Sequence, residues 1–399
     1  MIASPQPEHA PEPVQDFSIV LGGPLYQFFL RSGLIRPPFG SLKARMLVLA
    51  GIAWLPLIPL TVLGGRFAGA VPVPFLYDFE VHVRLLVALQ LLIVAELVIY
   101  VRMRALTAQF LERHIVTPEL RPAFEKVISS AMRLRNSSMA EISLLLLVLI
   151  AGPWVWRGTV ALHSNTWYAT QTPSGLVFTA AGWWYGFISV PVFQFILLRW
   201  YYRVFIWFRF LSQVSRLDLN LVPTHPDRCC GLGFLGNVAA AFAPLLMAHS
   251  ALMAGFLANR ILHEGAKLPD YKMELLAMTA LLIAIGLAPL CVFAPKLHRA
   301  RLAGLRLYGR LASDYVSDFA RKWIAPPVPS GEPLLGTSDI QSLADLDNTF
   351  SIVKGIRLVP FNKESVTQFL IVIAIPLAPL ALTMFSFEEL LRRLIRVIL

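Results

Sequence analysis

The chain has 399 residues, of which 56% are apolar and only 15% are charged, and its mean hydropathy is +0.64. About a quarter of the residues of a soluble protein are charged, so this composition excludes an ordinary soluble protein and favours a membrane protein. The formal net charge of +11 is compatible with nucleic-acid binding, with binding to anionic lipid, or with the charge bias of membrane topology.

Residues 1–16 are rich in proline and acidic residues. They lack the basic and apolar regions of a signal peptide, which predicts a disordered tail. Seven later runs are apolar over roughly the 20 residues that a transmembrane helix needs. They lie near 46–64, 84–103, 140–156, 177–198, 234–258, 275–295 and 366–386. This pattern predicts an all-α fold, a polytopic transmembrane helix bundle of six to seven spans, with residues 17–295 forming its main part.

The distribution of Lys and Arg explains the positive charge. The tail before span one and the segments between spans two and three, four and five, and six and seven are rich in these residues, whereas the other connections carry few. Such alternation follows the positive-inside rule and predicts a cytoplasmic N-terminus. We therefore expect membrane lipids as partners and no nucleic acid, and we leave a homo-oligomer open.

Residues 296–365 form the longest segment without an apolar run and are predicted to be a cytoplasmic helical segment. Its first part has the pattern of a basic amphipathic helix. A second helix is expected to begin with Ser338 as N-cap and Gln341 reaching back. With about 70 residues, this segment is too small for an independent catalytic domain, and we expect it to pack under the bundle.

Residues 366–399 allow two interpretations. Pro376 and Pro379 interrupt the seventh apolar run, so it forms either a seventh span or a re-entrant hairpin bent at its prolines. The residues after it have the pattern of an interfacial amphipathic helix. We favour seven spans, although this choice places the basic C-terminal end outside, against the charge rule.

A polar group precedes span two, where Asp78, Glu80, His82 and Arg84 alternate with apolar residues. In a helix, Asp78 would lie near His82 and Glu80 near Arg84. Carboxylates beside a histidine can bind a proton, an ion or a metal. The alternative, which we favour, is a salt-bridged collar where the helix enters the membrane.

Three ionisable residues lie in or beside apolar runs: Glu96 in span two, His249 in span five and Glu141 at the start of span three. Ionisable residues at membrane depth are costly and usually face a cavity or a partner. Glu96 and His249 are candidates for one ion or proton pathway. The alternative is that they make separate hydrogen bonds that hold helices together.

Residues 221–236 contain GxGxxG at Gly231, Gly233 and Gly236. A dinucleotide site would need a preceding strand, but an aromatic helix pattern precedes this segment. The start of a helix beside Arg228 can hold an anion or a lipid headgroup, with His225, Asp227, Gly231 and Gly233 around it. The alternative is that the glycines allow close helix packing after a polar turn.

Five segments carry a resemblance to a family. They are LGGPLYQ, PFLYDFEVHVRLLVALQLLIVAE, RLDLNLVPTHPDRCCGLGFLG, LLGTSDIQSLADLDN and PLAPLALTMFSFEELLRRL. As a set they resemble a family of bacterial multi-pass integral membrane proteins with no assigned function. The resemblance implies an inner-membrane protein, and it implies no catalytic residue.

Three functions fit these observations. The first is a transporter or channel with a polar intramembrane pathway, and the second is a membrane scaffold or sensor that binds partners through residues 296–365. The third, a lipid-modifying membrane enzyme, is disfavoured because no nucleophile–base pair or metal motif is recognisable. We accordingly expect no cofactor, no metal and no catalytic residue.

Overall fold

The computed structural model describes residues 17–34, 40–160, 166–173, 175–325 and 338–384. Almost all of the regular structure in this part of the chain is helical, which confirms the all-α membrane bundle. Seven helical segments within it are long and apolar enough to cross a membrane. Spans one to seven are Leu42–Leu63, Phe79–Glu112, Pro118–Gly152, Ala180–Val214, Phe234–Glu264, Leu268–Trp323 and Lys363–Ala381.

The individual helices divide these spans further. They are α1 (Pro24–Arg31), α2 (Leu42–Ala53), α3 (Leu57–Leu63), α4 (Phe79–His82), α5 (Leu89–Met103), α6 (Leu106–Glu112), α7 (Arg121–Arg135), α8 (Ser138–Val160), α9 (Ala180–Trp184), α10 (Val190–Val214), α11 (Phe234–Ala239), α12 (Ala243–Glu264), α13 (Lys272–Leu287), α14 (Ala294–Trp323), α15 (Ser338–Lys354) and α16 (Lys363–Ala381). Two short strands, β1 (Ala169–Thr172) and β2 (Gly175–Phe178), pair antiparallel before α9.

The bundle has two ends with different polar contacts. At one end, which we call the basic end, the side chain of Arg135 donates to the carbonyl of Ser18. The backbone N–H of Arg357 donates there to the carbonyl of Arg228. At the other, the hairpin end, Trp167 donates to Asp78 beside the β1–β2 hairpin. The basic segments thus gather at one end, as the alternation of Lys and Arg predicts. Which end faces the cytoplasm stays a prediction.

Span one breaks between α2 and α3. Pro56 has no N–H to donate and disfavours a helical conformation in the residue before it. Span four satisfies the carbonyls near this break, because Ser189 Oγ donates to Ala53 O at 2.5 Å and Trp184 Nε1 to Ile52 O at 3.1 Å. A break in a membrane helix is tolerated where side chains of a neighbour satisfy the backbone in this way.

Spans two and four each contain one wider turn. Residues Val83–Ala88 and Tyr185–Ser189 adopt a π-helical conformation, and Arg84 in the first turn donates to the hydroxyl of Tyr185 in the second. Such turns are rare and are frequent at functional sites. The sequence indicated neither these turns nor the hairpin. Residues 177 and 178, predicted to begin span four, belong to strand β2 of the hairpin instead.

The seventh apolar run forms one helix, α16, which contains both Pro376 and Pro379. Ser250 of span five donates to Ile373 O of this helix. The described part of residues 366–386 therefore fits a seventh span better than a hairpin. The predicted interfacial helix after it lies outside the described residues, whereas α14 and α15 match the two helices predicted within 296–365.

The contact between α9 and the hairpin generates a stability prediction. A Cβ on Gly182 would lie 2.0 Å from Tyr168 O, so Gly182→Ala forces backbone apart. Overpacking of this kind costs about 1–3 kcal/mol, and we expect a lower midpoint in thermal unfolding of the purified protein. Gly51→Ala in α2 is the control, since its Cβ meets nothing within 4 Å. Equal midpoints for the two variants would contradict the assigned packing.

Candidate functional site

Glu96 in span two lies among three arginines at the basic end. Its carboxylate is 2.5 Å from Arg45 Nη1 of span one and 2.9 Å from Arg203 Nη1 of span four. Arg199 Nη1, one turn before Arg203, is 3.7 Å away. All three arginines are buried. Glu96 thus makes ion pairs to two other spans, and its carboxylate is fully engaged.

Arg199 extends this network to span three and to the N-terminal segment. Its Nε lies 2.7 Å from Glu141 Oε1, and Glu141 Oε2 accepts the backbone N–H of Leu25 at 2.7 Å. A Cβ on Gly23 would approach Glu141 to 2.8 Å, and the φ of Gly23 is +91°. Glycine is therefore required where this segment crosses the carboxylate. We call Arg45, Glu96, Glu141, Arg199 and Arg203 the arginine–glutamate cluster.

His249 lies midway along span five, apart from this cluster. Its Nε2 is 2.7 Å from the hydroxyl of Tyr201, and its Nδ1 is 2.7 Å from Leu245 O. Glu96 and His249 line different cavities. The structure therefore does not bring the two candidates into one polar pathway. Each makes its own contacts to side chains of neighbouring helices.

The cavity beside His249 has a volume of about 690 Å³. We call it the lateral cleft. Its polar lining consists of Glu80, Arg84, Gln194, Tyr201 and His249. Its walls are apolar side chains of spans four, five and six, among them Phe193, Leu197, Leu252, Phe256, Leu281 and Ile285. The cleft thus joins one half of the predicted collar to His249, a grouping that sequence spacing cannot show.

Asp78 is the buried member of the collar. Its carboxylate accepts the N–H of Val81 at the start of α4, the indole N–H of Trp167 at 2.8 Å and the amide of Asn259 at 2.8 Å. These donors come from α4, from the residues just before the hairpin and from span five. Asp78 therefore ties three parts of the hairpin end together, and its acceptor oxygens are occupied.

The remaining collar residues make two separate contacts. Glu80 and Arg84 form the ion pair that their spacing predicts. His82 instead accepts the indole N–H of Trp54 on Nδ1 at 3.0 Å, with Nε2 2.9 Å from Phe75 O. Both ring nitrogens are thus used in hydrogen bonds. No group of three His, Cys, Asp or Glu able to hold a metal occurs among the described residues.

Residues 221–233 form a loop organised around Asp227, and residues 234–236 begin α11. The Asp227 carboxylate accepts the N–H groups of Cys229 at 2.7 Å, Gly231 at 3.2 Å and Gly233 at 2.8 Å. Partial burial opposes ionisation, but these three donors outweigh it and lower the pKa of Asp227. The carboxylate occupies the place predicted for an external anion, so the described contacts give that prediction no support.

His225 and Arg228, the other polar candidates of this loop, lie beside Asp227 in the same turn. His225 Nδ1 lies 2.9 Å from Asp227 Oδ1, and Arg228 is exposed with a φ of +52°. Burial raises the pKa of Cys229 to about 11 and that of Cys230 to about 12. Both thiols are therefore protonated at neutral pH and unsuited to nucleophilic chemistry.

Sequence reasoning identified Glu96 and Glu141 but missed the arginines that bind them. In the sequence, Arg199 and Arg203 belong to the basic segment between the predicted spans four and five, and Arg45 belongs to the basic tail before span one, so all three are explained by topology alone. Their position inside or beside apolar runs was the available signal, because a buried carboxylate needs a buried cation. The four-residue spacing of Arg199 and Arg203 on one helix face also fits a shared partner.

These features define a multi-pass α-helical membrane protein with a buried ion-pair cluster at one end and a cleft between spans. Comparisons with protein-family models, with curated proteins and with solved structures gave no match. The resemblance carried by the five sequence segments stays a prediction, and function is to be inferred from the geometry.

The cluster generates a second stability prediction. Glu96→Gln leaves Arg45 and Arg203 buried without their carboxylate, and breaking a buried pair costs about 3–5 kcal/mol. We expect a large drop in the thermal midpoint or loss of folded protein. Glu264→Gln is the control, because its pair with Arg260 is exposed and such pairs contribute at most about 1 kcal/mol. A tolerated Glu96→Gln would refute this role.

The loop generates a prediction about pH. Because the folded-state pKa of Asp227 is lowered, its stabilisation is present above the unfolded pKa of about 3.9 and is lost as pH falls through the folded value. Asp227→Asn should cost about 1.5–3 kcal/mol at pH 7, and its deficit in thermal stability should shrink below about pH 4. Asp318→Asn, at an exposed ion pair, should show neither effect. A deficit that is constant from pH 7 to pH 3 would contradict the prediction.

Proposed function

We propose that the chain is a membrane transport protein for an amphiphilic, lipid-like substrate that enters the lateral cleft. The observation that carries the proposal is the cleft itself, which combines an extended apolar wall with a few polar groups. Its volume of about 690 Å³ lies within the range of roughly 300–1,000 Å³ of small-molecule sites. A mostly apolar lining with a few placed polar groups is also typical of such sites.

The position of the opening favours a substrate that arrives from the bilayer. Leu281 lies within the apolar helix α13 and is 60% exposed, and Phe256 of span five is 37% exposed. Both side chains line the cleft. Because apolar side chains exposed on a membrane span face hydrocarbon, an acyl chain can reach the cleft without crossing water.

The polar lining favours a substrate with a charged head. Glu80 and Arg84 present one negative and one positive charge at the hairpin end, which complements a zwitterionic headgroup. Further along the cleft lie the Tyr201–His249 hydrogen bond and Gln194, whose Oε1 has no partner among the described residues. These groups offer a second polar position to a substrate that moves towards the middle of the bundle.

Two features of the bundle fit movement along this route. Arg84 and Tyr185 contact each other from π-helical turns of spans two and four, and such turns are frequent at functional sites. By contrast, Glu96 is engaged by the arginine–glutamate cluster. The pathway proposed here therefore runs through the cleft and not through Glu96, unlike the one expected from sequence.

Transfer of lipid between leaflets tests the proposal. Protein is reconstituted into liposomes that contain a phosphatidylcholine with a fluorescent headgroup, and dithionite reports the fraction that reaches the outer leaflet. We expect wild type to accelerate transfer over protein-free liposomes and Leu281→Trp, which fills the cleft, to reduce the rate several-fold. Leu146→Trp is the matched control, since Leu146 is a similarly exposed leucine of span three, 51% accessible, outside the cleft.

The outcomes separate transport from binding. A phosphatidylcholine with a photoreactive acyl chain should label peptides that contain Met253 and Phe256, which line the cleft, and Leu281→Trp should abolish this labelling. Labelling without accelerated transfer would refute transport and leave a lipid-binding protein. An equal effect of Leu146→Trp and Leu281→Trp on both measurements would refute the cleft as the site.

A further inference from the structure

We propose that the arginine–glutamate cluster holds one small monovalent anion, of the size of chloride, among Arg45, Arg199 and Arg203. This site is separate from the lateral cleft and does not depend on the proposed transport. It lies at the basic end, where spans one, two and four meet under α1.

The positive and negative charges of the cluster do not balance. The cluster contains three guanidinium groups and two carboxylates, and arginine stays protonated in proteins. No other carboxylate of the described residues forms an ion pair with these three arginines. All three are buried. Within the described residues, one positive charge is therefore left uncompensated inside the bundle, where an unpaired charge is costly.

The arginines also retain N–H donors that are not used on the carboxylates. A guanidinium carries five N–H groups, and Arg45 spends only an Nη1 group on Glu96. The Arg203 guanidinium also lies over the Trp200 ring, 4.6 Å from its centroid, so its edge is left for ligands. Arg45, Arg199 and Arg203 line one cavity together with Glu96, and the rest of its wall is apolar.

The size of this cavity limits what it can hold. The cavity has a volume of about 10 Å³, close to what one ordered water needs. Leu25 and Phe29 of α1 contribute to its wall. A phosphate group or a lipid headgroup is too large for this space. A halide ion is only somewhat larger than a water molecule, and it fits after small outward shifts of the long arginine side chains. Water is the competing occupant, and it would not neutralise the charge.

Thermal unfolding in different salts tests the site. The full-length protein in detergent is first dialysed into sodium gluconate and then compared at equal ionic strength in chloride, bromide and gluconate. A ligand that binds only the folded state raises the midpoint. Above the dissociation constant, the rise follows the logarithm of the ligand concentration. We expect chloride and bromide to raise the midpoint by several degrees, with a rise that continues with the logarithm of their concentration, and gluconate to have no such effect. Equal midpoints in all three salts would overturn the proposal.

Two variants locate the effect. Arg45→Gln leaves two arginines and two carboxylates, so the difference between chloride and gluconate should disappear even if the overall stability falls. Arg260→Gln, at an exposed pair, should keep the full difference. A chloride effect that persists in Arg45→Gln would place the anion elsewhere and overturn the assignment.

A second pair of variants serves if Arg45→Gln fails to fold. Leu49 lines the same cavity, so Leu49→Glu supplies a tethered carboxylate to the arginines. Its midpoint should be the same in chloride and gluconate, whereas Leu49→Gln, of equal size without the charge, should still respond to chloride. Chloride dependence in both variants, or bromide anomalous scattering found only at the protein surface, would show an adventitious ion only.

Discussion

The carboxylate of Glu96 is the group on which the basic end of the bundle depends. A single negative charge inside span two requires cations, and the structure supplies Arg45 from span one and Arg203 from span four. Arg199 also binds Glu141, which lies in the first turn of α8 in span three. Because one unpaired member would leave a buried charge, the four spans can associate in few other ways. The ion pairs thus define the positions of helices whose apolar faces alone would pack in many registers.

The hairpin end uses the same principle with a different group. Asp78 binds Trp167 of the hairpin region and Asn259 of span five while it caps α4. Between the two ends the contacts are largely apolar. In a membrane the lipid is as apolar as these side chains, so burial alone gives little preference for one partner helix. Polar groups at both ends therefore carry much of the specificity of the bundle.

The contrast between local and distant contacts explains what the sequence could predict. Hydropathy predicts the spans because each needs about 20 apolar residues, and the Glu80–Arg84 pair follows from helical spacing. Glu96 is recognisable because a charge at membrane depth is costly. Its partners lie 51 and more than 100 residues away, and no spacing rule joins them. The bond from Ser189 to the break near Pro56 and the Arg84–Tyr185 contact between the two π-helical turns likewise join distant residues.

The loop at 221–236 shows a different limit. Its glycines suggest backbone donors for an anion, and the structure has those donors, but the anion is the side chain of Asp227. A carboxylate two residues before such donors is a local turn pattern, so this arrangement was readable from the sequence. The same segment therefore stabilises the start of span five, whether or not it also meets lipid.

The distribution of polar contacts also indicates which wall of the cleft can move. Spans one to four are joined by the cluster, and span five bonds to Asp78 and to span seven. Helix α13 of span six lines the cleft with Met278, Leu281, Leu282 and Ile285, but its side chains make no hydrogen bond to another span among the described residues. Dispersion contacts can slide without leaving a polar group unsatisfied. A substrate that enters the cleft would therefore displace α13 at lower cost than any other wall, and the cluster would keep the opposite wall in place.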